Sequence, residues 1–262
     1  MVDMKKRTIS AFFIVLILAV AMICGNPLFM ILMSVCAVLG LHEFIDVKNT
    51  KKKLDFIDLI SYISLLLIIL NNTFFSIDNM SLLVVPILGL TIPIIIYNDS
   101  KKYNISDCLY LIASILILGI TFNNLILFRD ENIWLCIYIF LISFMTDTYA
   151  YIGGMLIGRH KLTSISPKKT IEGSLVGTVM ATLIGSCFYN ILIGDMSLIA
   201  IVVMSLFLSI VSQFGDLFFS SIKRFYDKKD YSNLIPGHGG ILDRLDSVIF
   251  VTLLLKLLIN IF

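Results

Sequence analysis

Charged residues are scarce in this sequence. Only 15% of the 262 residues are Asp, Glu, Lys or Arg, whereas 58% are hydrophobic. No core of this size could bury so much apolar surface, so the composition argues against a soluble α/β enzyme and indicates an integral membrane protein. The formal net charge of +2 is uninformative as a total, and the positions of the charges along the chain carry the information.

Two common signatures of binding sites are missing. The five cysteines all lie in apolar segments and form no C-x-x-C pair, which argues against a disulfide framework and against a zinc site. We interpret them as small apolar packing residues. The consensus G-x-x-x-x-G-K-[S/T] does not occur either, and its absence excludes a P-loop nucleotide site.

Long apolar runs fill most of the chain instead. Because a helix needs about 20 apolar residues to cross a bilayer, the sequence predicts an all-α integral membrane protein with about nine transmembrane helices. The predicted spans lie near residues 8–25, 28–44, 57–71, 81–97, 105–122, 133–152, 174–194, 198–217 and 247–262. We expect about five N-terminal helices in residues 1–130. Residues 131–262 should form a catalytic region with long polar loops at 158–173 and 217–246.

Lys and Arg alternate between the predicted loops. If the N-terminus is cytoplasmic, every Lys and Arg except Arg129 and Lys256 falls in a cytoplasmic segment. This asymmetry follows the positive-inside rule, so we expect both long polar loops, and the chemistry, on the cytoplasmic face of a bacterial-type cell membrane. No A-x-A-type cleavage site follows the first apolar run, which favours a retained span over a signal peptide.

Three carboxylates lie within or at the edge of apolar runs: Glu43, Asp147 and Asp216. A charge at membrane depth costs about 2.5–3.5 kcal/mol on insertion scales, so each is a functional candidate. Glu43 ends the second run close to the basic residues 48–53, and we expect it to face cytoplasmic water. Asp147 follows a long uncharged run, and it either contacts a hydroxyl of a neighbouring helix or belongs to a site.

Asp216, Asp243 and Asp246 form the strongest set. Asp243 and Asp246 are three residues apart, so a helix that begins there presents both carboxylates on one face. Hard cations such as Mg²⁺ prefer carboxylate and phosphate oxygens, and the pattern is typical of a site for a metal-bound polyphosphate. The alternative is that Asp243 caps the helix and Asp246 pairs with Arg244.

Two loops offer groups that bind phosphate. Residues 236–240 read Pro-Gly-His-Gly-Gly, and glycine lets backbone N–H groups approach an anion near a helix start. His238 in this loop either donates to a phosphate or has a structural role. The segment 166–170 reads Ser-Pro-Lys-Lys-Thr, which suits phosphate but also suits an ordinary cytoplasmic loop.

Residues 220–246 resemble the signature of the phosphatidate cytidylyltransferases (CDP-diacylglycerol synthases). The positions that carry the resemblance are Ser220, Ile222, Lys223, Arg224, Lys229, Asp230, Ser232, Ile235, Pro236, His238, Gly239, Gly240, Ile241, Asp243, Arg244, Leu245 and Asp246. Further residues similar to family motifs are Asp147, Thr148, Ala150, Tyr151, Ser166 to Thr170, Glu172, Gly173, Gly215 and Asp216. The sequence departs from the family at Tyr149, where many members carry a small residue, and at Tyr231, where Ser is frequent.

The resemblance implies a multi-span helical enzyme, usually a homodimer, that requires Mg²⁺. It implies CTP and phosphatidate as substrates, CDP-diacylglycerol and pyrophosphate as products, contact with membrane lipid, and no nucleic-acid partner. We assign the metal to Asp216, Asp243 and Asp246. The expected catalytic residues are these three with Lys223, Arg224, His238 and Arg244. The expected substrate-binding residues are Ser166, Lys168, Lys169, Thr170, Lys229, Gly239, Gly240 and Asp147, the last of which supports the polar cavity or a second cation.

Two other functions fit parts of the pattern. A CTP-dependent lipid kinase, or a cytidylyltransferase that acts on another lipid phosphate, would share the nucleotide chemistry. A transporter would use Asp147 and Asp216 as ion-coupling carboxylates. The polar residues are predicted on one membrane face only, and this asymmetry disfavours the transporter, which needs charge near both faces.

Overall fold

The computed structural model describes residues 2–48, 56–75, 77–97, 103–235, 237 and 239–261, with the backbone alone described at residues 2–9, 79 and 80. Its helices are, in chain order, α1 Val2–Cys24, α2 Asn26–Lys48, α3 Phe56–Phe74, α4 Asn79–Leu82, α5 Val84–Tyr97, α6 Ile105–Glu131, α7 Ile133–Ile157, α8 Ile171–Leu192, α9 Leu198–Phe225 and α10 Leu242–Ile259. Within the described ranges, β-type pairing is limited to two isolated bridges. The predicted all-α fold class is confirmed.

Apolar helices dominate the structure. In the described part of the chain, six helices are long and apolar enough to cross a membrane, namely α2, α3, α6, α7, α8 and α9. Helix α5 and residues Ser10–Cys24 of α1 are shorter apolar helices. Large apolar side chains such as Ile95 and Ile199 are 81% and 79% exposed, as suits contact with lipid tails, which are as apolar as these side chains. The chain is an integral membrane protein; the count of nine spans and the orientation stay predictions.

The chain folds into two compact units. The first contains Met1–Ile126 together with Tyr231–Ile241, and the second contains Leu127–Asp230 together with Leu242–Phe262. A short stretch of the predicted signature is therefore part of the first unit, although it is flanked on both sides by residues of the second. The sequence-based division into residues 1–130 and 131–262 stays a prediction.

In the first unit, the C-terminal end of α2 is fixed to the start of α6. Lys48 Nζ lies 2.5 Å from Asp107 Oδ1, and the hydroxyl of Tyr110 donates to the Phe44 carbonyl over 2.9 Å. The ring of Phe44, which is 2% exposed, meets the Tyr110 ring edge-on at 6.0 Å. These contacts hold the last turn of α2 in one place.

The expectation that Glu43 faces water is wrong. Glu43 is 3% exposed and its Oε1 accepts hydrogen bonds from the Ser232 hydroxyl at 2.6 Å and from the Ile241 N–H at 2.8 Å. Burying a carboxylate is costly unless hydrogen bonds compensate the lost water. Both donors come from the Tyr231–Ile241 segment, which lies far away in sequence, and this explains why the position near the basic loop was misleading.

In the second unit, α7 and α8 pack at very short range. A Cβ on Gly173 of α8 would lie 2.5 Å from the Ala150 carbonyl oxygen of α7. One on Gly177 would lie 2.7 Å from the Thr146 carbonyl oxygen. Small residues of this kind let membrane helices approach closely. The close approach fixes the C-terminal half of α7, which carries Asp147, against the first turns of α8.

Hydroxyl pairs and one glycine fix α9 against α7 and α10. Tyr138 of α7 contacts Ser205 of α9 at 2.7 Å between hydroxyl oxygens. A second hydroxyl pair, Thr146 and Ser209, joins the same helices one turn further along α9, towards Asp216. At Gly215 of α9, a Cβ would lie only 2.7 Å from the Asp246 carbonyl oxygen of α10. The glycine therefore permits α10 to cross α9 beside Asp216.

Lys256, the one cation predicted inside a span, lies near the end of α10 and has partners in the last turn of α6. Its Nζ lies 3.9 Å from Glu131 Oε1 and 5.4 Å from the centre of the Phe128 ring. The side chain is about one-third exposed (32%). A lysine near a helix end can extend its amine towards the polar boundary, which accounts for a charge in this apolar helix.

Candidate active site

The segment between α7 and α8 folds into a tight hairpin. The Leu162 N–H donates to the Lys169 carbonyl at 2.9 Å, and the Ile171 N–H donates to the His160 carbonyl at 2.9 Å. Thr170 then caps α8, because its hydroxyl accepts from the Gly173 N–H at 3.1 Å. This pairing projects residues 163–168 as a loop, and Lys168 and Lys169 lie next to the start of α8.

Glu172 holds the base of this hairpin. Its carboxylate accepts from the backbone N–H groups of Arg159 and His160 at 3.0 and 3.2 Å, and it contacts His160 Nδ1 at 2.5 Å. An acidic residue in the first turn of a helix is also favoured by the helix dipole. The family-like Glu172 therefore has a structural role in shaping the loop.

A cavity of about 540 Å³ opens in the second unit. It is bounded by the end of α7, the hairpin, the start of α8, the last turns of α9 and the first turn of α10. Its lining residues are Asp147, Ala150, Tyr151, Gly154, Met155, Leu162, Ser166, Lys168, Lys169, Thr170, Ser174, Gln213, Asp216, Lys223, Asp230, Asp243, Arg244 and Asp246.

Most of the residues predicted from the sequence meet in this cavity. Those that line it are Asp147, Ser166, Lys168, Lys169, Thr170, Asp216, Lys223, Asp243, Arg244 and Asp246. They come from three helices and one loop that are distant in sequence, so the fold brings together carboxylates and cations that could have lain apart. Their roles in binding and catalysis stay predictions.

Two lysine–carboxylate pairs organise the charges. Lys169 of the hairpin forms an ion pair with Asp216 of α9, and the Ser220 hydroxyl donates to the same carboxylate at 3.1 Å. Lys223 Nζ donates to Asp243 Oδ1 at 2.6 Å, and these two side chains are only 10% and 4% exposed. At this burial the two charges stabilise each other, and losing either partner would be costly.

A glutamine clamp aligns α9 with α8 at the cavity wall. The Ser174 hydroxyl donates to Gln213 Oε1 at 2.5 Å, and Gln213 Nε2 donates to the Thr178 hydroxyl at 2.8 Å. Gln213 stands one helical turn before Asp216 on the same face of α9. The clamp therefore fixes the rotation of α9 that directs Asp216 towards the hairpin.

The cavity offers oxygen ligands rather than a preformed metal cage. Among the residues that the structure describes, no group of three or more His, Cys, Asp or Glu side chains is arranged to hold a metal ion. The cavity carboxylates nevertheless fit a hard cation, since Mg²⁺ is usually held by one or two carboxylates together with substrate phosphates and water. Binding by Asp216, Asp243 and Asp246 stays a prediction.

Several predicted residues lie elsewhere. In the described ranges, Arg224 and Lys229 are not part of the cavity lining, and the Arg224 guanidinium donates to the Lys228 carbonyl at 3.1 Å, which closes the end of α9. Gly239 and Gly240 belong to the first unit. His238 lies outside the described residues.

Some cavity residues were not among the binding and catalytic residues predicted from the sequence. Asp230 lines the cavity and stands beside Lys229 in the signature, so the motif itself was sufficient to select it. Gln213 is a polar residue in an apolar helix at helical spacing from Asp216, which was a usable signal. Tyr151 belongs to a family-like motif and could have been selected in the same way, whereas Ser174 carries no comparable signal, because small hydroxyl residues are common in membrane helices.

Comparison with known proteins agrees with this picture. A profile of the cytidylyltransferase family matches residues 5–262. The chain is 32% identical over 259 residues to a phosphatidate cytidylyltransferase of Staphylococcus saprophyticus, covering 98% of this chain and 99% of that protein. Proteins of the same name from Staphylococcus aureus and Staphylococcus epidermidis are 32% and 33% identical over 261 residues, again over 98% of this chain and 99% of theirs.

The match spans both compact units as well as the cavity residues, so it does not rest on the signature alone. This chain belongs to the cytidylyltransferase family.

Proposed function

We propose that this protein transfers the cytidylyl group of CTP to phosphatidate, giving CDP-diacylglycerol and pyrophosphate for phospholipid synthesis. The observation that carries the proposal is the cavity of the second unit, where carboxylates of α7, α9 and α10 meet cations of the hairpin, α9 and α10. The relatives named phosphatidate cytidylyltransferase supply the substrate class.

The charges of the cavity suit two anionic substrates. CTP and phosphatidate repel each other, and a site must offset this repulsion before the reacting atoms can meet. Lys168, Lys169, Lys223 and Arg244 line the same cavity and can each contact a phosphate oxygen. Catalysis of phosphoryl-type transfer depends mainly on such positioning and charge stabilisation.

The reaction needs no strong general base. An oxygen of the phosphatidate phosphate, already an anion, attacks the α-phosphorus of CTP. As the new P–O bond forms, the bond from the α-phosphorus to the bridging oxygen breaks, and its electron pair leaves with pyrophosphate. The task of the side chains is therefore to align the attacking and leaving oxygens and to balance the negative charge that collects on the pyrophosphate.

We assign the binding of Mg²⁺ to Asp216, Asp243 and Asp246, with Asp147 supporting the cavity or a second cation. A bound divalent cation would neutralise phosphate charge and stabilise the leaving pyrophosphate. Lys169 and Lys223 hold two of these carboxylates in ion pairs. Their flexible amines can exchange a carboxylate for a phosphate when the nucleotide enters.

The finer topology also belongs to this proposal. Nine spans, a cytoplasmic N-terminus and a cavity open to the cytoplasm are supported by the distribution of Lys and Arg. The homodimer is supported by the family resemblance. Labelling a cysteine placed at Lys161 with a membrane-impermeant thiol reagent tests the orientation: it should react in inverted vesicles and stay protected in intact cells. The opposite result would reverse the topology.

Labelled CTP separates the proposed reaction from its rivals. With purified protein, phosphatidate in detergent micelles and Mg²⁺, label on the α-phosphate should enter the lipid and label on the γ-phosphate should leave as pyrophosphate. A CTP-dependent kinase would instead transfer the γ-label to lipid and release CDP. Transfer to another lipid phosphate, but not to phosphatidate, would replace the acceptor in the proposal.

Carboxylate variants test the site with the same assay. Asp243→Asn and Asp246→Asn should each lower turnover by about 100-fold or more, the usual effect of removing one group that stabilises developing charge. Asp195→Asn is the matched control, since Asp195 is exposed in the loop between α8 and α9. Near-normal turnover of the first two variants would contradict the metal assignment.

A further inference from the structure

The signature contains a segment that the proposed chemistry does not explain. Residues 231–241 connect Asp230 to Leu242, and the cavity residues Asp230 and Asp243 therefore stand just outside its two ends. The segment itself packs within the first unit. The continuous backbone joins it to both carboxylates, since Asp230 is one residue before Tyr231 and Asp243 is two residues after Ile241.

One buried oxygen joins the two ends of this segment. Oε1 of Glu43 accepts from the Ser232 hydroxyl at 2.6 Å and from the Ile241 N–H at 2.8 Å. The two donors are nine residues apart in sequence. Hydrogen bonds to a charged group are shorter and stronger than neutral ones, and Glu43 is 3% exposed, so water competes little for the carboxylate.

The glycine before Ile241 belongs to the same contact. A Cβ on Gly240 would overlap the carboxylate of Glu43, so only glycine lets the side chain reach the Ile241 N–H. Gly237 and Gly239 have φ values of +77° and +84°, a backbone conformation that favours glycine. The Ile235 N–H donates to the Gly239 carbonyl at 2.9 Å and closes the turn.

An aromatic contact anchors the other end. Tyr231 is 3% exposed, and its ring meets the ring of Phe44 edge-on at 5.7 Å. Phe44 follows Glu43 on α2, so consecutive residues of one helix hold both ends of the segment. This gives a physical reason for tyrosine at a position where the family often has serine.

We propose that Glu43 is a positioning residue for the reaction: its buried carboxylate closes the Ser232–Ile241 loop and thereby sets the geometry in which the backbone delivers Asp243 and Asp246. Glu43 touches no substrate in this scheme and acts through the loop. The inference rests on the proposed cytidylyl transfer, and it changes the interpretation of Gly240 from a phosphate-binding glycine to one that accommodates a carboxylate.

The sharpest test is a pair of compensating substitutions. Gly240→Ala places a methyl group against the Glu43 carboxylate and should lower kcat by about 10- to 100-fold. A hydrogen bond to a charged group contributes about 1.5–3 kcal/mol, which corresponds to this range of rates. Glu43→Asp shortens the side chain by one methylene and makes room. The double variant should recover at least about fivefold in kcat over Gly240→Ala alone.

Recovery of this kind distinguishes positioning from general destabilisation, because two variants that each merely weaken the fold would not rescue each other. The KM for CTP should change less than kcat, since the lysines and Arg244 of the cavity remain in place. Asp46→Asn is the matched control: Asp46 lies one turn further along α2, is exposed, and lies 3.4 Å from His42. Its kcat should stay within about threefold of wild type.

Hydrogen exchange keeps the inference separate from the proposed function. In Glu43→Ala the amides of residues 231–241 should exchange faster than in wild type, while peptides from α9 keep their protection. If wild-type protein fails to make CDP-diacylglycerol, the proposed function is wrong, and the exchange data still report on the loop. Unchanged exchange in Glu43→Ala, or a double variant no better than Gly240→Ala, would overturn the inference.

Discussion

Replacing Gly215 by alanine isolates the contact between α9 and α10 at the site. The added Cβ would lie 2.7 Å from the Asp246 carbonyl oxygen and 3.1 Å from Phe250 Cβ. An ordinary contact begins at 3.4 Å, so the helices must separate by about 0.7 Å, and backbone on one side leaves little freedom to relax. The shift would move Asp246 relative to Asp216.

Stability and activity should respond differently to this change. Overpacking in a well-packed core costs about 1–3 kcal/mol of unfolding free energy, and the better helix propensity of alanine returns about 1 kcal/mol. The melting temperature should therefore fall only slightly. Misplacing reacting groups by about 1 Å can cost about 100-fold in rate, so we expect kcat/KM to fall about 10- to 100-fold.

The measurement is transfer of α-labelled CTP to phosphatidate, with the melting temperature recorded in the same detergent. Gly185→Ala is the matched control, because its Cβ would meet the Cδ1 end of the Ile142 side chain rather than backbone of another helix. That variant should keep kcat/KM within about threefold of wild type. A Gly215→Ala enzyme that is equally active would refute the reasoning that close approach of α9 and α10 is needed.

Three further predictions follow from the second unit. Lys223→Met should destabilise the protein by about 3–5 kcal/mol, because Asp243 loses its buried ammonium partner. Adding Asp243→Asn should restore much of the melting temperature but no activity. Restored activity would contradict the assigned roles. Gln213→Leu breaks the clamp to α8 and should lower kcat about tenfold; an unchanged kcat would show that the clamp does not orient Asp216. Lys256→Met should lower the free energy of unfolding by under about 1 kcal/mol, because the ion pair of Lys256 with Glu131 is long and partly exposed. The transfer activity of this variant should match wild type. A strong loss of activity would mean that Lys256 has a role beyond this pair.

The signature and the further family-like motifs together contain most of the cavity lining, and for the signature the reason is local. Asp243 and Asp246 stand three residues apart on one helix, so their common face follows from helix geometry alone. Asp216 and Lys223 are seven residues apart on α9, a spacing that also places two residues on one face of a helix. Residues whose partners come from other helices were harder to interpret: neither the Lys169–Asp216 pair nor the Lys223–Asp243 pair can be deduced from spacing.

Glu43 shows most clearly where sequence reasoning fails. A carboxylate at the end of an apolar run next to lysines looks like a residue in water, and its burial depends on donors 189 and 198 residues away. The same holds for Gly240, because the space beside it is filled by the Glu43 side chain of α2. Long-range contacts of this kind have no periodicity that the local sequence could reveal.

By itself, the sequence determined the class of the protein. Scarcity of charge and long apolar runs require a membrane environment for thermodynamic reasons that no folding detail can change, and the charged motifs select anionic substrates by Coulombic complementarity. Tertiary structure alone decided which charges pair, which glycines serve close packing and which carboxylate is buried, because these depend on helices meeting within a few ångströms and on donors that the chain brings together only when folded.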